Sequence, residues 1–247
     1  MLFRSVWGIG VLGLVAVLIP GIGSTVNGAR SWIAFPGGFQ IQPAELAKIS
    51  IIVGMSLILS ERLSSDGYPT DRQVVQSLVV AAIPLLLIVA QPDLGTVLII
   101  TASVVTMIAI SGARSRWVIG LLTLGVTGIY LAVATGQVSE YQLRRLRSFV
   151  DPLADPQASG YQLRQARVTI GSGGLFGKGL FSGPQTNGRF VPEQHTDFIF
   201  TVSGEELGFL GSIIILILFM AILMRSFAIA RRTTDLFGKM VCVGVIS

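Results

Sequence analysis

The sequence of 247 residues is poor in charged side chains, and this deficit narrows the class of protein it can be. Only 13% of its residues are Asp, Glu, Lys or Arg, whereas a soluble domain typically has about 25%. The mean hydropathy of +0.73 and several apolar runs of roughly 17–25 residues indicate a polytopic membrane protein. The expected fold class is therefore all-α, a transmembrane helical bundle.

Cysteine and histidine are almost absent, with Cys242 and His195 the single examples of each. One cysteine excludes a disulfide framework and a thiolate metal site, and we assign no metal ligands. The net charge of +5 and the pI near 9.9 are compatible with nucleic-acid binding. The hydropathy makes anionic lipid head groups the expected partner instead.

Six apolar runs are long enough to be membrane spans, and a seventh begins near residue 240. Because a span cannot end a few residues after it starts, we expect a fragment of a longer protein, folded as a single membrane domain over 1–247. A proline, Pro84, lies inside the third run and should kink it. The predicted spans are 6–22, 44–60, 74–90, 95–112, 117–135 and 198–224.

Basic residues in the short loops predict the topology, since they mark the cytoplasmic side. One set of loops carries almost all of them, which places 23–43, 91–94 and the long segment 136–197 outside. The long segment is itself basic, but long loops are exempt from this rule. A basic segment held outside suggests either an anionic ligand or lipid head groups.

Asp197 stands where the long outer loop meets the last apolar run, and we predict that it acts as a base at the outer membrane surface. His195 and Glu193 crowd the same few residues, which favours proton chemistry there. The structural alternative is a helix N-cap made by Thr196 or Asp197. Further acids, Glu205 among them, follow inside the predicted span, where carboxylates are expensive.

Small residues continue from Asp197 at helical spacing, namely Thr201, Gly204, Gly208 and Gly211. Such a stripe leaves a groove below the acid or lets another helix approach closely. Close helix packing explains the glycines more simply, and both alternatives stay open at this point.

Glu45 and Lys48 begin the second span, after Pro43 in its first turn. The acid suits the positive end of the helix, and Lys48 shares its face, so the two should pair. Snorkelling to the interface would explain Glu45 alone. Lys48 lies a turn deeper, which favours a paired role facing a cavity.

Three further outer residues are candidates. Asp93, in a tight turn between two spans, is explained by turn chemistry but should face the same side as Asp197. Arg30 and Trp32, in the first outer loop, suggest an interfacial anchor pair.

A glycine-rich run begins at Gly171-Ser172-Gly173-Gly174 and encloses Lys178. Its backbone N–H groups could hold a phosphate. It matches neither a Walker A motif nor a dinucleotide fingerprint, because no strand precedes it.

These motifs together resemble the shape, elongation, division and sporulation (FtsW/RodA/SpoVE) family, over nearly the whole chain and nearer to its rod-shape branch. The order and spacing of the motifs carry the resemblance. They are Asn27-Gly28-Ala29-Arg30-Ser31-Trp32, Gln42-Pro43-Ala44-Glu45-Leu46-Ala47-Lys48, Gln91-Pro92-Asp93-Leu94-Gly95-Thr96, Asp151-Pro152, Gly160-Tyr161-Gln162, Ile170-Gly171-Ser172-Gly173-Gly174, Pro192-Glu193-Gln194-His195-Thr196-Asp197-Phe198-Ile199-Phe200 and Gly204-Glu205-Glu206.

The resemblance implies about ten spans in an intact protein of the bacterial cytoplasmic membrane, with its active site outside. It implies a peptidoglycan glycosyltransferase that polymerises lipid II into glycan strands on undecaprenyl pyrophosphate, with a class B penicillin-binding protein as partner. The family's essential acid falls on Asp197. Its acid–lysine pair falls on Glu45 and Lys48.

The leaving pyrophosphate needs Arg, Lys or a divalent cation, Mg²⁺ or Mn²⁺, to balance its charge. The alternatives are a flippase for a lipid-linked sugar, with Glu45, Lys48 and Glu205 along its path, and a scaffold for a transpeptidase. The candidate substrate-binding residues are Glu45, Lys48, Arg30, Trp32, Asp93, His195, Glu193, Gln185 and Lys178.

Overall fold

The computed structural model describes residues 2–26, 29–35, 40–61, 68–91, 93–136, 159–191 and 194–247. The chain divides into two compact units. The first unit comprises Met1–Val126 and Arg225–Ser247, and the second comprises Thr127–Met224. A single membrane domain over 1–247 stays a prediction.

Helices dominate the described part of the chain, as predicted. The first unit takes its core from helices at both ends of the sequence, and the second contains the outer segment. In chain order the helices are α1 (Leu2–Leu18), α2 (Pro43–Ser60), α3 (Asp71–Val89), α4 (Leu94–Ile110), α5 (Ser115–Ala134), α6 (Ser159–Ser172), α7 (Pro184–Asn187), α8 (Ile199–Glu206), α9 (Gly208–Arg232) and α10 (Leu236–Ile246).

Four of these helices, α2, α3, α5 and α9, are long and apolar enough to cross a membrane. Helices α1 and α4 are apolar but have 17 residues each, at the lower limit for a span. The polytopic membrane fold is therefore confirmed. The sixth predicted span, 198–224, is wrong in its boundaries, because the chain breaks at Leu207 between α8 and α9.

A small antiparallel sheet follows α1, which the all-α prediction missed. Its strands are β1 (Gly23–Val26), β2 (Ala29–Ala34) and β3 (Gln40–Ile41), in the order β1-β2-β3. Ser24 pairs with Trp32 and Ile33 pairs with Ile41. The predicted outer loop 23–43 is thus partly ordered as strands.

Helix α2 is the centre of the first unit and packs against α1, α3 and α10. Glycines on the neighbouring helices α1 and α10 let their backbones approach α2 closely. A Cβ added at Gly10 would lie 3.4 Å from Ser50 Oγ, and one added at Gly244 would lie 2.5 Å from Ile52. The core around α2 includes Ala47, whose side chain is fully buried.

Helix α3 starts with a capping box between Thr70 and Gln73 and runs through Pro84. Its first residue, Asp71, accepts hydrogen bonds from Trp117 Nε1 at 2.8 Å, from Arg114 at 3.2 Å, and from Arg116. These contacts join the starts of α3 and α5.

Candidate functional site

The predicted ion pair of α2 is present. Lys48 Nζ lies 2.8 Å from Glu45 Oε2, on the first two turns of the helix. Glu45 is the more exposed partner and stands in the first turn, where the helix dipole favours a negative charge. The pair is formed, and its predicted contact with substrate stays a prediction.

Asp93 links the starts of two helices in the first unit. Its carboxylate caps α4 by accepting from Thr96 N–H at 3.2 Å and from Thr96 Oγ1 at 2.8 Å. Gln42 Nε2, just before α2, donates to Asp93 Oδ2 at 3.1 Å. The turn interpretation is therefore confirmed, and the link through Gln42 is a contact that local sequence patterns do not reveal.

Arg30 and Trp32 lie on β2. Arg30 Nε donates to Gly23 O at 3.2 Å, so one edge of the guanidinium holds the sheet together. Ser24 Oγ donates to the backbone oxygen of Trp32. The guanidinium Nη groups of Arg30 make no hydrogen bond or ion pair with the described residues, which leaves them open to a ligand.

In the second unit the outer segment is organised around Glu205, whose side chain is fully buried. Its Oε2 accepts from Thr186 Oγ1 at 2.6 Å and from Thr186 N–H at 2.7 Å. Its Oε1 accepts from Gln185 N–H at 2.9 Å and from Ser172 Oγ at 3.2 Å. The carboxylate therefore ties the short helix α7 and the end of α6 to α8.

These hydrogen bonds determine the charge state of Glu205. Burial by itself raises the pKa of the carboxyl group, but the donors from Thr186, Gln185 and Ser172 outweigh it and hold the pKa below its ordinary value. Gly183 packs so closely that a Cβ there would lie 2.5 Å from Glu205 Oε2. Glu205 is thus a buried carboxylate in its ionised form.

The glycine-rich run has a different role from the phosphate cradle considered above. Lys178 N–H and Gly179 N–H donate to the backbone oxygens of Glu205 and Glu206, at the end of α8. Gly177 N–H donates to Gly173 O. Because these N–H groups are already bonded within the protein, the phosphate interpretation is wrong for them.

Asp197 lies in the turn before α8 and is exposed, as is His195. The N-cap of α8 is Phe198, and it makes no side-chain capping bond, so the cap interpretation of Asp197 is wrong. Within the described part of the chain Asp197 has no hydrogen bond or ion pair. Glu193 lies outside the described residues.

The stripe of small residues is divided by the break at Leu207. Gly204 packs against Ile170 of α6, where an added Cβ would lie 2.9 Å from Ile170 Cγ1, so close helix packing is confirmed there. Gly208 has a φ of +67° and turns the chain into α9. A continuous face through Gly211 is therefore wrong.

A mostly apolar cavity of about 370 Å³ lies in the second unit beside these glycines. Phe200, Gly204 and Gly208 line it, together with Ser212, whose buried hydroxyl has no hydrogen-bond partner among the described residues. Asp197 does not line it and stands three residues before Phe200. The predicted groove exists on the α8 face but not directly against the acid.

Metal ligation does not emerge from the described residues, among which no group of three Asp, Glu, His or Cys side chains could hold an ion. A divalent cation stays a prediction.

A family model described as "Cell cycle protein" (FtsW/RodA/SpoVE) matches residues 1–247. The chain belongs to this family. The match covers both units, so the candidate residues of each lie within the family's sequence pattern.

Curated relatives come from three branches of the FtsW/RodA/SpoVE family. Stage V sporulation protein E of Bacillus subtilis is 40% identical over 95% of this chain and 62% of its own length. A probable peptidoglycan glycosyltransferase FtsW of Trichlorobacter lovleyi is 38% identical, covering 94% and 59%. Peptidoglycan glycosyltransferase MrdB of Escherichia coli K12 is 35% identical, covering 94% and 62%.

The chain thus spans about three fifths of the length of these relatives. Their identities do not favour the rod-shape branch, and that assignment stays a prediction.

Two solved structures share the fold. One, described as a peptidoglycan synthase complex that coordinates polymerization and crosslinking, contains a chain 27% identical, with a TM-score of 0.70 over 99% of this chain and 66% of that one. The rod shape determining protein RodA of Thermus thermophilus is 25% identical, with a TM-score of 0.60 over 99% and 62%. The membrane fold of this family member is therefore shared across solved relatives.

Sequence reasoning noted Glu205 as an acid needing an explanation and missed its place as the centre of the outer segment. Its donors, Ser172, Gln185 and Thr186, lie 19 to 33 residues away. The only local signal was a carboxylate next to an apolar run, which does not identify its partners.

Proposed function

We propose that the intact protein is a peptidoglycan glycosyltransferase that polymerises lipid II into glycan strands. Relatives in two branches of its family are named peptidoglycan glycosyltransferases. The site chemistry is compatible with it, because the acceptor hydroxyl of a sugar needs a base within hydrogen-bond reach as it attacks.

The observation that carries the proposal is the contrast between two acids near α8. Asp197 is exposed and has no described partner, whereas Glu205 is buried and accepts four hydrogen bonds. A base must have a free oxygen to take a proton, and of these two acids Asp197 is the one that offers it. Asp197 is therefore the proposed general base, with the neighbouring Glu193 and His195 contacting the acceptor sugar.

The departing undecaprenyl pyrophosphate is an anion, and cationic groups stabilise it as it leaves. Arg30 is the first candidate, because its Nη groups are open. Lys48, which forms an ion pair with Glu45, is the second candidate. A divalent cation, Mg²⁺ or Mn²⁺, bound together with the substrate is the alternative source of positive charge.

Lys178, Gln185, Trp32 and Asp93 complete the proposed substrate contacts. Lys178 and Gln185 use their backbone N–H groups to hold Glu205 in place, which leaves their side chains for a ligand. The carboxylate of Asp93 caps α4, so its proposed contribution to binding is to hold the start of that helix in position.

We place this chemistry at the outer face of the bacterial cytoplasmic membrane. The basic residues of the short loops support that orientation, because the topology predicted from them puts the segment 136–197 outside. A class B penicillin-binding protein is the proposed partner, supported by the shared fold with a chain of a peptidoglycan synthase complex.

A flippase would use charged residues along a path through the membrane. Glu205, one of the three acids and bases proposed for that path, is fully buried and bonded to four donors. This observation weakens the transport alternative. A scaffold without enzymatic activity is distinguished from the enzyme by assaying glycan polymerisation directly.

The test uses purified full-length protein in detergent with lipid II and either Mg²⁺ or Mn²⁺, with glycan strands resolved on a gel. Polymer is expected from the native protein and should be lost with Asp197→Asn. Lipid translocation without polymer would support a flippase. Neither activity in the absence of a partner protein would support a scaffold.

A further inference from the structure

The sequence of the outer segment contains a tandem repeat, Leu175-Phe176 and Leu180-Phe181, on either side of Gly177-Lys178-Gly179. We call residues 174–182 the Leu-Phe loop. It belongs entirely to the second unit.

The apolar side chains of the Leu-Phe loop point away from the protein. Phe176 is 80% exposed and Phe181 is 84% exposed, while Leu175 and Leu180 are 61% and 63% exposed. Large exposed apolar patches on a segment outside the spans mark an interaction surface. Four such side chains within seven residues form one of these patches.

Although its side chains are exposed, the backbone of the loop is held in place by the rest of the protein. Lys178 N–H and Gly179 N–H donate to α8, and Gly177 has a φ of +83° with no room for a Cβ, which would lie 2.1 Å from Glu206 O. Phe181 has a φ of +61°, which is unusual for a residue with a side chain. Asn187 Nδ2 donates to Phe181 O at 3.0 Å and supports that conformation.

Hydrogen bonds also set the depth of the loop relative to a membrane span. Phe209 N–H donates to Gly174 O at 2.9 Å, and Leu210 N–H donates to Leu175 O at 3.1 Å. These donors belong to the first turn of α9, which is long and apolar enough to cross the bilayer. The Leu-Phe loop is therefore level with the point where α9 enters the membrane.

We propose that the Leu-Phe loop is an interfacial anchor, whose two Leu-Phe pairs insert into the outer leaflet of the bilayer around the start of α9. Transfer of apolar and aromatic side chains out of water lowers the free energy at this level of the bilayer. The anchor fixes the outer segment, with Asp197 and Glu205, against the membrane surface. It rests on the membrane orientation proposed above and is independent of the proposed chemistry.

The test measures depth in the membrane, with the full-length protein in vesicles of phosphatidylcholine and phosphatidylglycerol. All other cysteines, Cys242 among them, are replaced by serine, and Phe176→Cys or Phe181→Cys carries an environment-sensitive NBD dye. The matched control is Arg164→Cys, an exposed charged position of α6 in the same unit. Aqueous iodide and nitroxide-labelled lipids are the two quenchers.

The dye at 176 and 181 is expected to be quenched several-fold less by iodide than at 164, and several-fold more by the nitroxide lipids. Equal iodide quenching at all three positions would overturn the proposal by placing the loop in water. Protection from both quenchers would also overturn it, because a protein partner or a second copy would then cover the loop.

A variant that carries no dye keeps the result independent of labelling. Phe176→Trp is conservative in size, and its emission should be quenched by brominated lipids beyond the background of the native tryptophans. The same quenching with and without the substitution would contradict the proposal.

Discussion

Asp197 and Glu205 lie eight residues apart, on either side of most of α8, and their surroundings differ completely. Glu205 is fully buried, and four donors from three residues saturate its oxygens. Asp197 is exposed in a turn and accepts no bond from the described residues. The chain therefore places a buried, hydrogen-bonded carboxylate on one short helix and an exposed carboxylate in the turn before it.

The difference shows how a membrane protein can keep an exposed acid in a defined place. An exposed turn by itself would not position Asp197, since loops are mobile where they lack buried contacts. Glu205 supplies those contacts by joining α6, α7 and α8. We infer that the buried acid positions the segment that carries the exposed one.

The largest effect is expected from Asp197→Asn in the full-length protein. Removing a general base should lower the rate of glycan polymerisation by a factor of about 10²–10⁴. The melting temperature should stay unchanged, because the side chain has no described partner to lose. Full activity of this variant, measured with lipid II, would assign the base to another residue.

Glu205→Ala is expected to act through folding. It leaves buried donors of Ser172, Gln185 and Thr186 without an acceptor, which should lower the free energy of unfolding by about 3 kcal/mol. Thermal unfolding in detergent and limited proteolysis of the outer segment measure the loss. Glu205→Gln keeps the shape and part of the bonding and should lose less. An unchanged melting temperature for the alanine variant would contradict the structural role.

Gly177→Ala tests the contact between the glycine-rich run and α8. The added Cβ meets Glu206 O and the φ of +83° disfavours alanine, so we expect a loss of about 1–3 kcal/mol. The matched control is Gly171→Ala in α6, where an added Cβ meets no atom within 4 Å. It should be neutral or gain up to about 1 kcal/mol of stability. Equal melting temperatures for the two variants would show that the run does not support α8.

The smallest effect concerns pH. Because the folded-state pKa of Glu205 is lowered, its contribution to stability is complete above the unfolded-state pKa and is lost as the pH falls through the folded-state value. Stability should therefore be level above about pH 5 and decline below it, as far as this group is concerned. Comparing the melting temperatures of native protein and Glu205→Gln across this range isolates the contribution. The decline should be shallower in the variant.

Much of the membrane fold follows from local sequence. The predicted spans 44–60 and 74–90 coincide closely with α2 and α3, because an apolar run of that length must be helical in lipid. The Glu45–Lys48 pair also follows, since residues three apart share a helix face. The sheet of β1 to β3 does not, because its pairing depends on turns between short strands that carry no hydrophobic alternation.

Residues of the candidate site could be identified from the sequence. The way in which the chain joins and turns between them could not. Asp197 stands out from the sequence as an acid at the junction of a polar loop and an apolar run. The break at Leu207 was not anticipated, because the apolar character of the run continues through it. The role of Gly208, with a φ of +67°, becomes visible only once the chain is seen to turn there.

Composition and the order of apolar runs and motifs were enough to establish a helical membrane protein of one family, since hydrocarbon allows few ways to satisfy a backbone. Tertiary structure decided that Glu205 is buried and hydrogen-bonded and that Asp197 is exposed. The donors that neutralise the burial cost of Glu205 come from residues far along the chain. Hydrogen bonding of a buried charge depends on distances in space, and sequence spacing does not encode those distances directly.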